Sequence, residues 1–537
     1  MSKQGMTRRT FLGVTGTAAA AVGLGLVGCG GSGDSGSGTS DGSSEPSADA
    51  KLTAGLAYQN QGNLDPLSTS SATGMAANWC VAEGFYEFDY AKMEPFKALA
   101  ADDDPTKVSD TEYSVKLRSD AKFSDGTAVT PDDVIASWKR AAGKDENYAG
   151  NIYEPMLSFI DDVVADGEDG VTFKLSVAFD PEIMKKRLCI IKICPASMSK
   201  DDLTKLPIGT GPWKYDSSDE QSIKLSVNEY YNGDKPAKNP VEFSVLVDND
   251  PRVTAMTGGT TMVCEAVPSD QIENFEANGI TVDKVQGFNL PFFMFNLKKK
   301  PFDDVRVRQA FFYAVDVEKL IENALDGLAT AATCYLPENF PGYHKASTVY
   351  TYDVDKAKSL LEEAGATGTS LTLQTTDTAW ITDIAAQIQQ DLINAGLDVK
   401  LNSQKSSDLY ANQATPDASG VCPYDVVLAS GDPSVFGNDP DLLMSWFYGD
   451  GIWTQSRYGW QGQEKCTELQ ALMAKAVTQS GDEQQDTWNQ CYDLIAEQVP
   501  LYPLLHRVTP TGVWADKIDG FQAIGCTGID FVGCTAK

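Results

Sequence analysis

The feature that most constrains the fold is a change of hydrophobic period, repeated along the chain. Alternating runs suited to strands occur at 51–58, 112–117, 171–175, 223–227, 241–247, 371–374, 398–401 and 424–428, where successive side chains face opposite sides. Between them the period lengthens to that of a helix at 131–142, 305–315, 317–325, 354–364, 381–394, 464–478 and 483–498. The end signals are sharp. Thr130-Pro131-Asp132-Asp133 supplies an N-cap hydroxyl, a proline pre-set for the first turn and two acids at the positive end of a helix. Asp353 opens another helix and Gly365 closes it. Strands and helices mixed in this proportion give an α/β or α+β chain.

The N-terminus is of another kind. Arg8-Arg9 and Phe11-Leu12 precede an uncharged run from Gly13 to Gly28. A positive start, a short apolar stretch and small residues at the end make a secretory signal. The run is too short and too rich in Gly and Ala for a stable membrane span. The arginine pair resembles a twin-arginine signal, and Leu26-Val27-Gly28-Cys29 resembles a bacterial lipobox, in which Cys29 is lipidated. Residues 1–28 are therefore expected to be the signal. Residues 29–50, almost wholly Gly, Ser, Asp, Thr, Glu, Pro and Ala, read as a flexible tether. Gly23-Leu24-Gly25-Leu26-Val27-Gly28 matches the dinucleotide fingerprint, but no strand precedes it and no βαβ unit surrounds it.

Charge and composition exclude several functions. The chain carries a net charge of −32, and the leader's only charges are Lys3, Arg8 and Arg9, so the body is more acidic still. Such a surface repels nucleic acid, and no nucleic-acid partner is expected. Only two histidines occur, His344 and His506. Without HExxH, CxxC or a P-loop, neither a metal site, a bound cofactor nor a catalytic set is expected. His506 follows an apolar run and reads as a packing residue. The cysteines after Cys29 are even in number, which permits disulfides in an exported chain. Cys189/Cys194 and Cys526/Cys534 are close in sequence, and Cys466 and Cys491 fall on adjacent helical patterns; free buried thiols are the alternative.

Four blocks resemble one family. They are Ala121-Lys122-Phe123-Ser124-Asp125-Gly126-Thr127 running into Thr130-Pro131-Asp132-Asp133-Val134; Pro207-Ile208-Gly209-Thr210-Gly211-Pro212-Trp213 before Asn228-Glu229-Tyr230-Tyr231; Pro301-Phe302-Asp303-Asp304-Val305-Arg306-Val307-Arg308-Gln309-Ala310; and Tyr352-Asp353-Val354-Asp355-Lys356-Ala357. Their order and spacing resemble the extracytoplasmic solute-binding proteins of family 5, which serve oligopeptide and dipeptide ABC transporters. Each block also has a local reading. Phe123 to Gly126 is a turn, Gly209 to Pro212 a tight bend, and Arg306 and Arg308 are expected on the exposed side of a helix.

The resemblance implies an α/β, two-lobed clamshell of the class II periplasmic-binding type with an inserted subdomain. Lobe I would comprise 51–90, 208–295 and 505–537, the insert 91–207 and lobe II 296–504, with hinges near Asn296 and Leu504. It implies an oligopeptide ligand, permease subunits and through them an ATPase as partners, and a lipid-anchored location on the outer face of the cytoplasmic membrane. No chemistry on the ligand is implied. In peptide-binding relatives an Asp before an Asp-Pro or Glu-Pro holds the ligand's α-amine. Here the strand ending at Leu428 is followed by a loop that looks longer than theirs, with Asp432 as first candidate and Asp439 as second. The backbone of 428–431, including Ser430 and Gly431, would pair with an extended ligand. Tyr148 and Phe293 resemble ligand-facing positions by place, and Trp446, Trp453, Tyr458 and Trp460 follow the loop closely. In some relatives basic residues of this region meet a ligand carboxylate; the stretch between Lys405 and Arg457 holds no Lys or Arg, and Arg457 is the nearest replacement. Other readings are the same scaffold with an oligosaccharide, opine-like compound or metal chelate, a peptide-sensing receptor, and an exported hydrolase.

Overall fold

A computed structural model describes residues 50–537; the signal, Cys29 and nearly all of the tether lie outside the described residues. The strands and helices expected above are present, with shifts only at their ends. Helix Pro131–Ala141 opens with a full capping box between Thr130 and Asp133, and the Asp353 carboxylate accepts the Lys356 N–H at 2.9 Å to start helix Val354–Glu363.

Two sheets carry the architecture. In the first, strand Leu52–Leu56 lies parallel to Val241–Val245 on one side and Val263–Cys264 on the other. It extends through Ser222–Val227 and Trp213–Ser218 at one end and through Leu505–Val513 and Thr281–Gln286 at the other. In the second, Asp398–Gln404, Ser370–Thr376 and Val426–Gly431 run parallel. Leu290–Phe295 is antiparallel to the last of these and pairs in turn with Leu501–Pro503. Val426 to Ala429 are fully buried, the continuous apolar run that a strand covered on both faces requires. A separate four-stranded antiparallel sheet, Thr106–Ser109, Glu112–Lys116, Gly170–Leu175 and Ile160–Asp166, belongs to the inserted region.

Strand Ala329–Ala331 also joins the first sheet, beside Arg507 to Leu505; apart from it, two short connections carry the chain between the two main sheets. One is 287–289, between strands Thr281–Gln286 and Leu290–Phe295; the other is Leu504, between Leu501–Pro503 and Leu505–Val513. The first differs from expectation. Leu290 to Phe295 pair residue for residue with Gly431 back to Val426, so this strand lies in the second sheet and not in the first. The crossing therefore falls at 287–289 rather than near Asn296. A second correction concerns Arg308. Only Arg306 sits near the surface; Arg308 is buried and donates to the carbonyls of Phe302, Asp303 and Gln498, tying two helix ends together.

Gly209 and Gly211 have a reason beyond turn-making. A Cβ on Gly209 would sit 2.0 Å from the Val81 carbonyl oxygen, and one on Gly211 2.6 Å from that of Cys80. The bend thus packs its bare backbone on the C-terminal end of helix Ala72–Val81. The ten described cysteines are all buried and unpaired. Among the described residues no helix is long and apolar enough to cross a membrane.

Candidate ligand-binding site

Parallel strands end with their carboxyl edges open to a crevice, and ligands of α/β proteins gather there. Four such ends converge. Strand Leu52–Leu56 leads to Tyr58 and strand Val263–Cys264 to Glu265 in lobe I; strand Ser370–Thr376 leads to Trp380 and strand Val426–Gly431 to Asp432 in lobe II. Two adjacent residues of the C-terminal segment join them. Asp432 Oδ2 accepts the Thr527 N–H at 2.6 Å and its hydroxyl at 2.9 Å, while Glu265 Oε2 accepts the Gly528 N–H at 3.0 Å and Oε1 the Ala57 N–H at 2.7 Å. Burial pushes both carboxyl groups above their ordinary range, Glu265 and Asp432 alike. Tyr58 feels both acids and the guanidinium of Arg507, and burial raises its phenol further.

Arg507 enters this space from strand Leu505–Val513. Its guanidinium lies 4.2 Å from the centre of the Trp380 ring, beside the Tyr58 hydroxyl. Nε and Nη1 are buried and have no acceptor, and the indole N–H of Trp380 and Oδ1 of Asn289 are in the same condition. Burial lowers the Arg507 pKa, with no carboxylate near enough to oppose it. Asn289 sits in the first crossing, accepts the Arg507 backbone N–H at 2.8 Å and donates to the Thr527 hydroxyl at 3.2 Å.

The expected site residues divide between this crevice and other places. Asp432 is in it, but its acceptor positions are filled: Oδ1 takes the Ser434 N–H at 3.2 Å and hydroxyl at 2.5 Å, and Oδ2 takes Thr527. Ser430 and Gly431 end the strand beside it. The strand Ser370–Thr376 pairs with Val426 to Leu428 and stops there, so the backbone of 429–431 has no strand neighbour on that side. A Cβ on Gly431 would meet Phe447 at 2.8 Å, which keeps this end bare.

Asp439 is corrected. It is fully buried, caps helix Pro440–Tyr448 through the Asp441 N–H at 2.9 Å and pairs with Arg187 at 2.9 Å. Arg187 also binds Asp441 at 2.6 Å and packs beside the stacked rings of Phe159 and Phe179, so Asp439 faces those residues and not the crevice. Phe293 is a core residue packed on Phe295, Phe311 and Phe312. The Tyr148 hydroxyl donates to Asp65 at 2.8 Å within a buried patch. The Tyr458 hydroxyl donates to the Phe447 carbonyl at 2.6 Å, and Trp460 is buried beside Tyr458. Trp446 stacks on Phe447 and Trp453 meets the same ring edge-on. Arg457 stacks over Trp453 and Tyr410, and its carbonyl accepts the Tyr424 hydroxyl at 2.8 Å. The Arg457 guanidinium is thus held against aromatic rings of the lobe II core. The apolar neighbourhood that made these aromatics candidates is lobe II core.

Tyr58, Glu265, Asn289, Trp380, Arg507 and Thr527 are not among the residues that the sequence singles out for the site. Arg507 had a signal, as the one charged residue in a strand otherwise neutral from Leu505 to Val513. His506 behaves as its sequence setting implies: buried, bonded to the Tyr335 carbonyl at 2.9 Å, with its pKa lowered by desolvation to about 4.

Two lobes joined by two crossings, with polar groups gathered between them, define a binding protein that encloses its ligand. The model of the bacterial extracellular solute-binding proteins, family 5 (middle region), matches residues 94–461. The chain belongs to this family, the substrate-binding components of ABC importers. The oligopeptide-binding protein AppA of Bacillus subtilis (strain 168) is 26% identical over 444 residues, 76% of this chain and 78% of that protein. In fold, a dipeptide-binding protein from Pseudoalteromonas sp. SM9913 in complex with Met-Leu matches with a TM-score of 0.79 at 19% identity, over 91% of this chain and all of that one. AgaA from A. tumefacien R10, in complex with agropinic acid, matches with a TM-score of 0.78 at 24% identity, over 91% of this chain and 99% of that one.

Proposed function

We propose that this chain captures short peptides in the crevice between its lobes and hands them, unaltered, to an ABC permease. One observation carries this reading: the backbone of 429–431 has no strand neighbour on the side of Ser370–Thr376 and runs into a buried carboxylate, Asp432. An added strand would read amide groups that every peptide has, which permits many side chains. Asp432 would neutralise the peptide's ammonium, exchanging its neutral donors for a charged one. Cys29 would hold the mature protein at the membrane by a lipid, with 30–50 as the tether; mass spectrometry of the mature N-terminus checks this, and an unmodified Cys29 contradicts it.

Calorimetry tests the amine contact. Asp432→Asn should weaken free-amine peptides on the order of 30-fold to several thousand-fold, the loss typical when one partner of a buried charged pair is removed. N-acetylated peptides should lose little. Equal binding of free-amine peptides by parent and variant would remove Asp432 from the site. A second reading has its own support: the four acceptor contacts of Asp432 are already satisfied, and one structural neighbour holds agropinic acid. On that reading the ligand is a non-peptide acid held without an ammonium contact.

A further inference from the structure

We propose that Arg507 is the anion-binding residue of the crevice and that the ligand presents a carboxylate to it. This rests on the reading of the crevice as the ligand site. A guanidinium is a donor-only group with five N–H bonds in a fixed fork, matched to a carboxylate. Here Nε and Nη1 are buried with no acceptor among the described residues. Leaving a buried donor unmade is costly, and protein interiors seldom tolerate it without a use.

The surroundings fit the same ligand group. Trp380 covers one face of the guanidinium at 4.2 Å and fixes its plane. The indole N–H of Trp380 is a third buried donor with no partner. The Tyr58 hydroxyl stands at the guanidinium and supplies the lobe I side. Arg507 is on the strand that follows the second crossing, Trp380 is on the helix after strand Ser370–Thr376, and Tyr58 follows strand Leu52–Leu56. A carboxylate bound to these three would touch both lobes at once, which is what favours a closed form on binding. Arg507 would thereby supply the cation that the stretch between Lys405 and Arg457 lacks.

The test compares pairs of probes on the purified protein. Di- to pentapeptides are offered as free acids and as C-terminal amides, with binding read by calorimetry. Parent protein should prefer the acids by about 30-fold or more, and Arg507→Gln should bind both forms alike and weakly. Equal binding of acid and amide by the parent overturns the proposal, as does a preference that survives in Arg507→Gln. If no peptide binds, the peptide reading falls. A panel of non-peptide carboxylic acids against their methyl esters then decides: a hit lost in Arg507→Gln supports the subsite, and no hit overturns it. Ligand-free stability separates a binding role from a structural one. Arg507→Met should raise the thermal midpoint, because it removes a buried unpaired charge; a lower midpoint contradicts the proposal.

Discussion

Arg187 and Asp439 form a buried pair whose energetics are set by what surrounds it. Both are about 1% exposed, and Asp441 is a second partner. Removing one member leaves the other charge in an apolar setting beside the stacked rings of Phe159 and Phe179. Asp439→Ala should therefore cost about 3–5 kcal/mol in urea unfolding, toward the lower end because Asp441 stays. Peptide affinity of the folded fraction should be unchanged; a selective loss of affinity at unaltered stability would return Asp439 to the site. Glu83 gives a pH test. It is buried, one carboxylate oxygen has no partner, and burial raises its pKa from 4.5 to about 8. Between those values the folded state keeps a proton that the unfolded chain has lost, so the group's effect becomes unfavourable as pH rises through that window. Glu83→Gln should match the parent's thermal midpoint near pH 4 and exceed it near pH 9; a constant difference would contradict this. At this scale the sequence points to Asp432, because Asp before Pro beyond a buried strand is a local pattern. It does not point to Arg507 and Trp380, since their meeting depends on two sheets facing each other and neither has a sequence neighbour that marks it.

Elements were more legible than residues. Caps and hydrophobic period are local, so the helix starting after Thr130 and the one after Asp353 follow from a few adjacent residues. Strand partnership is not local. Nothing within Leu290-Pro291-Phe292-Phe293-Met294-Phe295 says which sheet it joins; its pairing with Val426–Gly431 and Leu501–Pro503 places it in the second. The loop after Val426–Gly431 bonds to distant parts of the chain. Beyond the Asp432 to Thr527 contacts, the Val435 carbonyl accepts the Tyr90 hydroxyl at 2.6 Å and Asn438 donates to the Met93 carbonyl at 2.7 Å. These bonds join lobe II to segments outside it, so Tyr90→Phe combined with Asn438→Ala should favour opening without ligand. A larger radius of gyration for the ligand-free variant is the expected reading; identical scattering would mean the loop does not hold the lobes. Gly209→Ala should destabilise by about 1–3 kcal/mol or more, because its Cβ meets backbone and not a movable side chain.

For the whole molecule, the central claim is enclosure of a ligand without its conversion. The fold class was legible as soon as four blocks stood in order, since each fixes a turn, a close approach or a cap that the scaffold needs. The ligand was not, because it is decided by side chains that meet only across the crevice. The most direct measurement is small-angle scattering of the purified protein titrated with a pool of di- to pentapeptides, followed by mass spectrometry of the bound fraction. The account predicts a smaller radius of gyration at saturation and recovery of the bound peptides intact. An unchanged radius at saturation, or peptides consumed with products appearing, would contradict it.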